Sequence, residues 1–159
     1  MTEEPAPRKV ADSVVEMTEL VLPEDTNTHG SIFGGRVLAL VDKCAAMVAI
    51  RHARTDVVTV AMDSVEFRNP VRLGDMLILH GRLNAAFGSS MEIEVEVHSE
   101  DPFSGSRRLT TRAFVTMVCV DPRGGAQPVP ALELIDDDER ARADRARARR
   151  AHRLASRDR

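Results

Sequence analysis

Asp42 is a single carboxylate set in the middle of the apolar run GGRVLALVDKCAAMVAI, residues 34–50. If that run is helical, the residues one turn to either side are Leu38, Ala39, Ala45 and Ala46, so the carboxylate lies among small apolar neighbours. An ionised group in such a place is unfavourable unless it is paired or used, and such groups gather at functional sites. The alternatives are that this face meets water, or that Asp42 pairs with Lys43 or Arg51. The loop before the run, DTNTHGSIFGG, ends in Gly34 and Gly35, which let the backbone approach a ligand and leave free amides at a helix start. Asn27, a neutral donor and acceptor, stands fifteen positions before Asp42. Carboxylate, orienting amide and backbone N–H groups are together the parts for attack on a carbonyl, with somewhere to hold the oxyanion.

Other polar residues offer less. Asp63 and Glu66 are three apart on a strand-like segment, so alternation sends them to opposite faces and denies them a role as a carboxylate pair; Asp63 reads as structural. Ser89 and Ser90 follow Gly88 without a Gly-x-Ser-x-Gly elbow or a His and Asp partner set, so they read as a tight turn rather than a nucleophile. Arg68, Arg72 and Arg82 suit bidentate phosphate contacts equally well, and nothing in the sequence chooses among them. His52 reads as a solvated helix-end residue. Cys44 and Cys119 sit in apolar runs at no metal-ligand spacing, which makes them reduced core residues and suggests no zinc site.

The elements that must position these groups follow from periodicity. Residues 1–12, polar and carrying Pro5 and Pro7, are expected to be disordered, and 13–135 form one domain. A first strand over Ser13–Leu22 stops at Pro23; the active loop follows, then a helix over Gly35–Arg51 that is apolar nearly all round and needs a sheet to cover it. Val57–Phe67, Asp75–Ala86, Ser90–Ser99 and Arg107–Val120 then read as four further strands. In the third of these, Met91, Ile93, Val95 and Val97 alternate with Glu92, Glu94, Glu96 and His98, which predicts one face in water. One early helix and about five long strands imply an α+β architecture, an antiparallel sheet wrapped around the helix, whose exposed edges argue for a dimer.

Residues 136–159 open on four acids and then space arginines and alanines at helical intervals, which predicts a solvated C-terminal helix that frays. This tail carries a net +3 and the remaining residues −6; an acidic body without aromatic stacking residues excludes a nucleic-acid surface. The acidic, proline-bearing start is no signal segment and no apolar run reaches bilayer length, so the expected location is the cytoplasm, away from membranes.

Leu22-Pro23, Asn27, Gly30, Phe33-Gly34-Gly35 and Asp42, followed by Val58–Phe67, Pro70-Val71, Gly74-Asp75 and Ser89–Val95, resemble the hotdog-fold acyl-CoA thioesterases, in their cytosolic acyl-CoA hydrolase branch, over about residues 13–135. The resemblance implies a hotdog domain whose catalytic pattern falls on Asn27 and Asp42, with an amide at or near Gly35 polarising the thioester carbonyl and Gly34, Phe67, Ser89 and Ser90 along the acyl-CoA. It leaves His29 as a loop residue. It also implies a homodimer with Asn27 and Asp42 from different chains, assembly into a hexamer of three dimers, and no cofactor, coenzyme A being part of the substrate. A hotdog enoyl-CoA hydratase would need a His and Asp set that His29 does not complete, and a non-catalytic acyl-CoA sensor would not need the carboxylate.

Overall fold

A computed structural model describes residues 3–159. Five strands, β2 (Val15–Leu20), β3 (Asp56–Phe67), β4 (Met76–Phe87), β5 (Ser90–Glu100) and β6 (Arg107–Val120), form one antiparallel sheet in the order β2-β4-β5-β6-β3. Helix α1 (Gly34–Ala53) lies across its inner face. Val37, Leu40, Val41, Cys44, Ala45, Val48 and Ala49 point down from α1 onto Leu77, Leu79, Leu83, Met91, Ile93, Val95 and Met117. Burial of side chains this size contributes roughly 1.5–3 kcal/mol each for the larger ones, so this layer is the main source of stability. The approach is close: a Cβ on Gly81 of β4 would meet Cys44 Sγ and Val48 Cγ2 at 2.9 Å, so only glycine admits the helix at this depth. The same burial pushes the Cys44 thiol up to about 11, and both cysteines are free core residues, as expected.

The termini are more ordered than the sequence suggests. Arg8–Lys9 (β1) pairs in parallel with Leu132–Glu133 (β7), and a 3-10 turn, Val10–Asp12, follows, so the stretch expected to be disordered is structured from Arg8 onward. His52, expected in water, is buried: its ring binds the Pro130 carbonyl through Nε2 at 2.7 Å, while Arg8 donates to the His52 carbonyl. A carbonyl only accepts, so Nε2 carries the proton and Nδ1 is bare, with no partner among the described residues. Burial is the main reason the His52 pKa is lowered, with the Arg8 charge adding to it.

Helix α2 (Asp137–Arg157) starts in a reciprocal cap, Asp136 Oδ1 accepting from Glu139 N and Glu139 Oε2 from Ile135 N, both at 2.8 Å. It is not a solvated helix. It lies on the outer face of the sheet, where Ala143 and Ala146 meet Ala85, and its arginines reach carboxylates of the strands: Arg142 to Glu94 at 2.7 Å, Arg149 to Glu92 at 2.7 Å, Arg153 to Asp63 at 2.9 Å. The β5 face expected to be wet is therefore covered, with Glu92 2% and Glu94 6% exposed. Sequence periodicity could not foresee this, because the partners lie some fifty residues away.

The register of β3 against β6 shifts twice, between Thr59 and Ala61 and between Asp63 and Glu66, and the second shift bears on Phe67. Along β3, Asp63 is opposite Phe114 and Glu66 is opposite Arg112, so three residues of β3 span two of β6, with Ser64 left-handed at φ 55. Asp63 and Glu66 consequently share the outer face, contrary to simple alternation, although they still do not pair: Asp63 binds Arg153 and Glu66 approaches Arg68 at 3.6 Å. Among the described residues no helix is long and apolar enough to cross a membrane.

Candidate active site

The loop of residues 25–35 is a small closed unit. Thr26 and Ile32 form an antiparallel bridge, Asn27 N donates to Ser31 O at 2.8 Å, and Gly30 turns the chain at φ 77. The Asn27 side chain is fixed from one end, its Oδ1 accepting from His29 N at 2.9 Å and from Ser31 N at 3.3 Å. With the oxygen occupied, Asn27 presents its Nδ2 donors. Asp25 ties the loop to the helix: its carbonyl accepts from Phe33 N at 2.9 Å, and its carboxylate takes Leu22 N and Arg36 Nε, each at 3.0 Å. Beyond Asn27's backbone and side-chain contacts, His29 is an exposed loop residue.

Where the loop enters α1, Phe33 is the N-cap and its carbonyl takes Arg36 N and Val37 N. Gly34 N and Gly35 N precede these and have no intrahelical acceptor, which is the usual state of a helix's first amides and leaves them available to an oxyanion. The two glycines differ in cause. A Cβ on Gly34 would meet the Phe67 ring at 3.2 Å, whereas one on Gly35 would meet nothing within 4 Å. Packing within this chain does not demand glycine at position 35. Beside Gly34 a cavity of about 300 Å³ opens, walled by Ile32, Val37, Phe67, Val71 and Thr110.

Asp42 lies two turns further along α1 and is half-buried rather than buried. Its Oδ1 accepts a 2.6 Å hydrogen bond from Thr59 Oγ1 on β3, and Oδ2 is left free among the described contacts. Thr59 was not legible as a partner of Asp42, since threonine in Val57–Phe67 reads simply as a strand former; its inner-face register opposite Met117 brings its hydroxyl to the carboxylate. Thr59, Val58 and Val60 are exposed, because β3 is an edge strand paired only with β6.

The predicted site residues thus fall into separate groups within one chain. Asn27, Gly34, Gly35 and Phe67 gather at the start of α1; Asp42 with Thr59 stands about 12 Å further along the helix. Gly88 and Ser89 turn the β4–β5 hairpin and Ser90 opens β5; Ser90 is opposite Val118, and Val118 is opposite Val58, the chain neighbour of Thr59. Of the arginines considered for phosphate, Arg82 faces Asp138 at 3.7 Å under α2, Arg68 borders the cavity and Arg72 bridges Ser31.

Residues 29–104 match the model of the thioesterase superfamily. The chain is 38% identical over 130 residues to YkhA, an uncharacterized acyl-CoA thioester hydrolase of Bacillus subtilis, covering 82% of this chain and 76% of that one. It is 33% identical over 147 residues to the mouse cytosolic acyl coenzyme A thioester hydrolase, covering 91% of this chain but only 39% of the mouse protein. Among solved structures, an apo-hexameric acyl-CoA thioesterase superposes with a TM-score of 0.90 at 42% identity, covering 96% and 97% of the two chains. The Staphylococcus aureus acyl-CoA hydrolase, solved with butyryl coenzyme A and coenzyme A, gives 0.84 at 34% identity over 95% and 94%. Solved alanine variants of that hydrolase replace an aspartate, an asparagine and a threonine.

Proposed function

The chain belongs to the thioesterase superfamily, among its hotdog-fold acyl-CoA thioester hydrolases, and from that membership we propose that it splits acyl-coenzyme A into free acid and coenzyme A at a site shared by two protomers. The observation that carries the reading is the Asp42 carboxylate, held at Oδ1 by Thr59 on an open sheet edge with Oδ2 unengaged. Asn27 with the first α1 amides has the complementary role and lies too far away in the same chain to share a substrate atom with it. Antiparallel pairing of two β3 edges about a two-fold between Thr59 and Phe67 brings the loop of one protomer to the carboxylate of its partner.

In such a site the thioester carbonyl lies against Gly35 N–H and Asn27 Nδ2, which stabilise the oxyanion as it forms. Oδ2 of Asp42 either takes the proton of the attacking water or itself adds to the carbonyl carbon, and the tetrahedral intermediate expels coenzyme A as its thiolate; direct attack leaves an aspartyl–acyl anhydride, which water then splits into the free acid and the Asp42 carboxylate. Label found in Asp42 after a single turnover in heavy-oxygen water requires direct attack followed by opening of the anhydride at the aspartyl carbon; water that adds to the acyl carbon, by either route, leaves its label in the free acid. The acyl group occupies the cavity beside Phe67, and Ser89 and Ser90 approach the coenzyme A arm. A thioester is already an activated acyl group, so the reaction calls for no metal or redox cofactor. We place the enzyme in the cytoplasm, as a dimer that assembles further into a hexamer; a cytosolic mouse relative and a hexameric structural relative support this.

The test is hydrolysis of an acyl-CoA panel followed by thiol release. Asp42→Asn should lower turnover roughly a hundred- to ten-thousand-fold with an unchanged circular dichroism spectrum. Near wild-type turnover in that variant would overturn the assignment.

A further inference from the structure

The arginines of α2 lie on the opposite face of the sheet from the site, yet one of them reaches the strand irregularity on which the site depends. Strand residues alternate faces, so Phe67, four positions after Asp63, would share Asp63's outer face if β3 were regular. The extra residue between Asp63 and Glu66 reverses this. Phe67 comes opposite Thr111, which is opposite the fully buried Val97 on the α1 side, and its ring closes over Gly34. A one-residue change of register would withdraw Phe67 from the cavity altogether.

The bulge needs support. Ser64 holds a left-handed conformation, at φ 55, without being glycine, which is an unfavourable backbone state for a residue with a side chain. Within the chain the strand is paired on one side only, to β6, and that ladder is interrupted here, so the outward support comes from α2 whether or not the free edge meets a partner. The residue that opens the bulge, Asp63, is gripped from outside by Arg153 Nη1 at 2.9 Å, the two side chains being 30% and 15% exposed. One helical turn earlier Arg149 lies 3.7 Å over the Phe114 ring, directly opposite Asp63, and binds both oxygens of Glu92. The last turns of α2 are therefore anchored on the two strands that define the irregularity.

We infer that Arg153 is a positioning residue for acyl-chain selection: through Asp63 it holds the β3 bulge, and the bulge keeps Phe67 on the wall of the acyl cavity. This rests on the reading of that cavity given above. Arg153 touches no substrate in this scheme and acts only through the strand.

The experiment compares Arg153→Ala, Asp63→Asn, Arg153→Lys and Phe67→Ala in the full chain against acyl-CoAs from acetyl to palmitoyl, with kcat and KM for each and a thermal melt by circular dichroism. Arg153→Ala and Asp63→Asn should shift the preferred chain length in the same direction as Phe67→Ala, changing the long-to-short ratio of kcat/KM by about tenfold. The shift should come mainly through KM, and Arg153→Lys should restore much of the wild-type profile. Combining Asp63→Asn with Arg153→Ala should add little to either alone. If Arg153→Ala lowers the melting temperature but leaves the chain-length profile unchanged while Phe67→Ala alters it, the inference is wrong and the cavity assignment stands. If Phe67→Ala leaves the profile of an active enzyme unchanged, the cavity assignment fails and takes the inference with it. If the wild-type chain hydrolyses none of the panel, the thioesterase reading itself fails.

Discussion

Asn27→Ala and Asp42→Ala, each inactive alone, should restore activity to one another when mixed. Asn27 is fixed at the N-terminus of α1 by its own loop, and Asp42 projects from the same helix about 12 Å further on. A reacting atom must lie within about 3 Å of each group that acts on it, so a single chain cannot bring both to one thioester without unravelling the helix start. In a two-fold dimer with shared sites, a heterodimer of the two variants has one site carrying both lesions and one carrying neither. Each heterodimer then has about half of wild-type activity, and random mixing of equal amounts makes half the dimers mixed, so about a quarter of the activity returns overall. The assay is thiol release after subunit exchange, with exchange verified by native mass spectrometry. If exchange is complete and no activity returns, each site draws both residues from one chain and the shared-site model is refuted.

Thr59→Val should keep the fold and reduce kcat more than KM, because it removes the hydrogen bond that orients Asp42 while leaving the loop and cavity intact; an unchanged kcat removes Thr59 from the site. Gly81→Ala should destabilise the domain by about 1–3 kcal/mol, since its methyl meets Cys44 and Val48 at 2.9 Å and α1 must shift to admit it; an unchanged melt by circular dichroism would show that the helix yields freely. His52 has a lowered folded-state pKa, chiefly through burial, so its contribution is complete above its unfolded pKa of about 6.5 and is lost as pH falls toward the folded value. Stability should therefore decline below about pH 6.5 with a slope of at most about 1.4 kcal/mol per pH unit from this group, and His52→Asn should flatten that slope; an identical slope in the variant rules His52 out.

Much of the domain was readable because its signals are local. The strand boundaries, the buried helix and the loop that delivers Asn27 to Gly34 and Gly35 all rest on periodicity and turn residues within a dozen positions. What escaped reading depends on partners far along the chain. Glu92 and Glu94 alternate with apolar neighbours as a wet face would, and only the later arginines reveal that this face is covered. The β3 bulge carries no glycine at Ser64, and Val57–Phe67 is apolar enough in either parity to hide a change of register. Thr59 is concealed by its own strand propensity, and His52 by a segment, residues 126–135, that returns to cover the end of α1.

The outer face of the sheet carries Glu92, Glu94, Glu96 and Arg112 where a helix-covered face ordinarily presents hydrocarbon. Losing α2 would uncover charges that water solvates readily, rather than an adhesive apolar patch. The helix is in this sense a replaceable part. A lineage could shorten it, turn it toward a neighbouring subunit or rewire it one ion pair at a time without passing through an insoluble intermediate. The inner face has less latitude: at Gly81 even a methyl group collides with α1, so change there is destabilising from its first step. Variation among descendants of this chain should accordingly concentrate on the arginine side of the sheet, leaving the helix that bears Asp42 in place while the support behind β3 is altered.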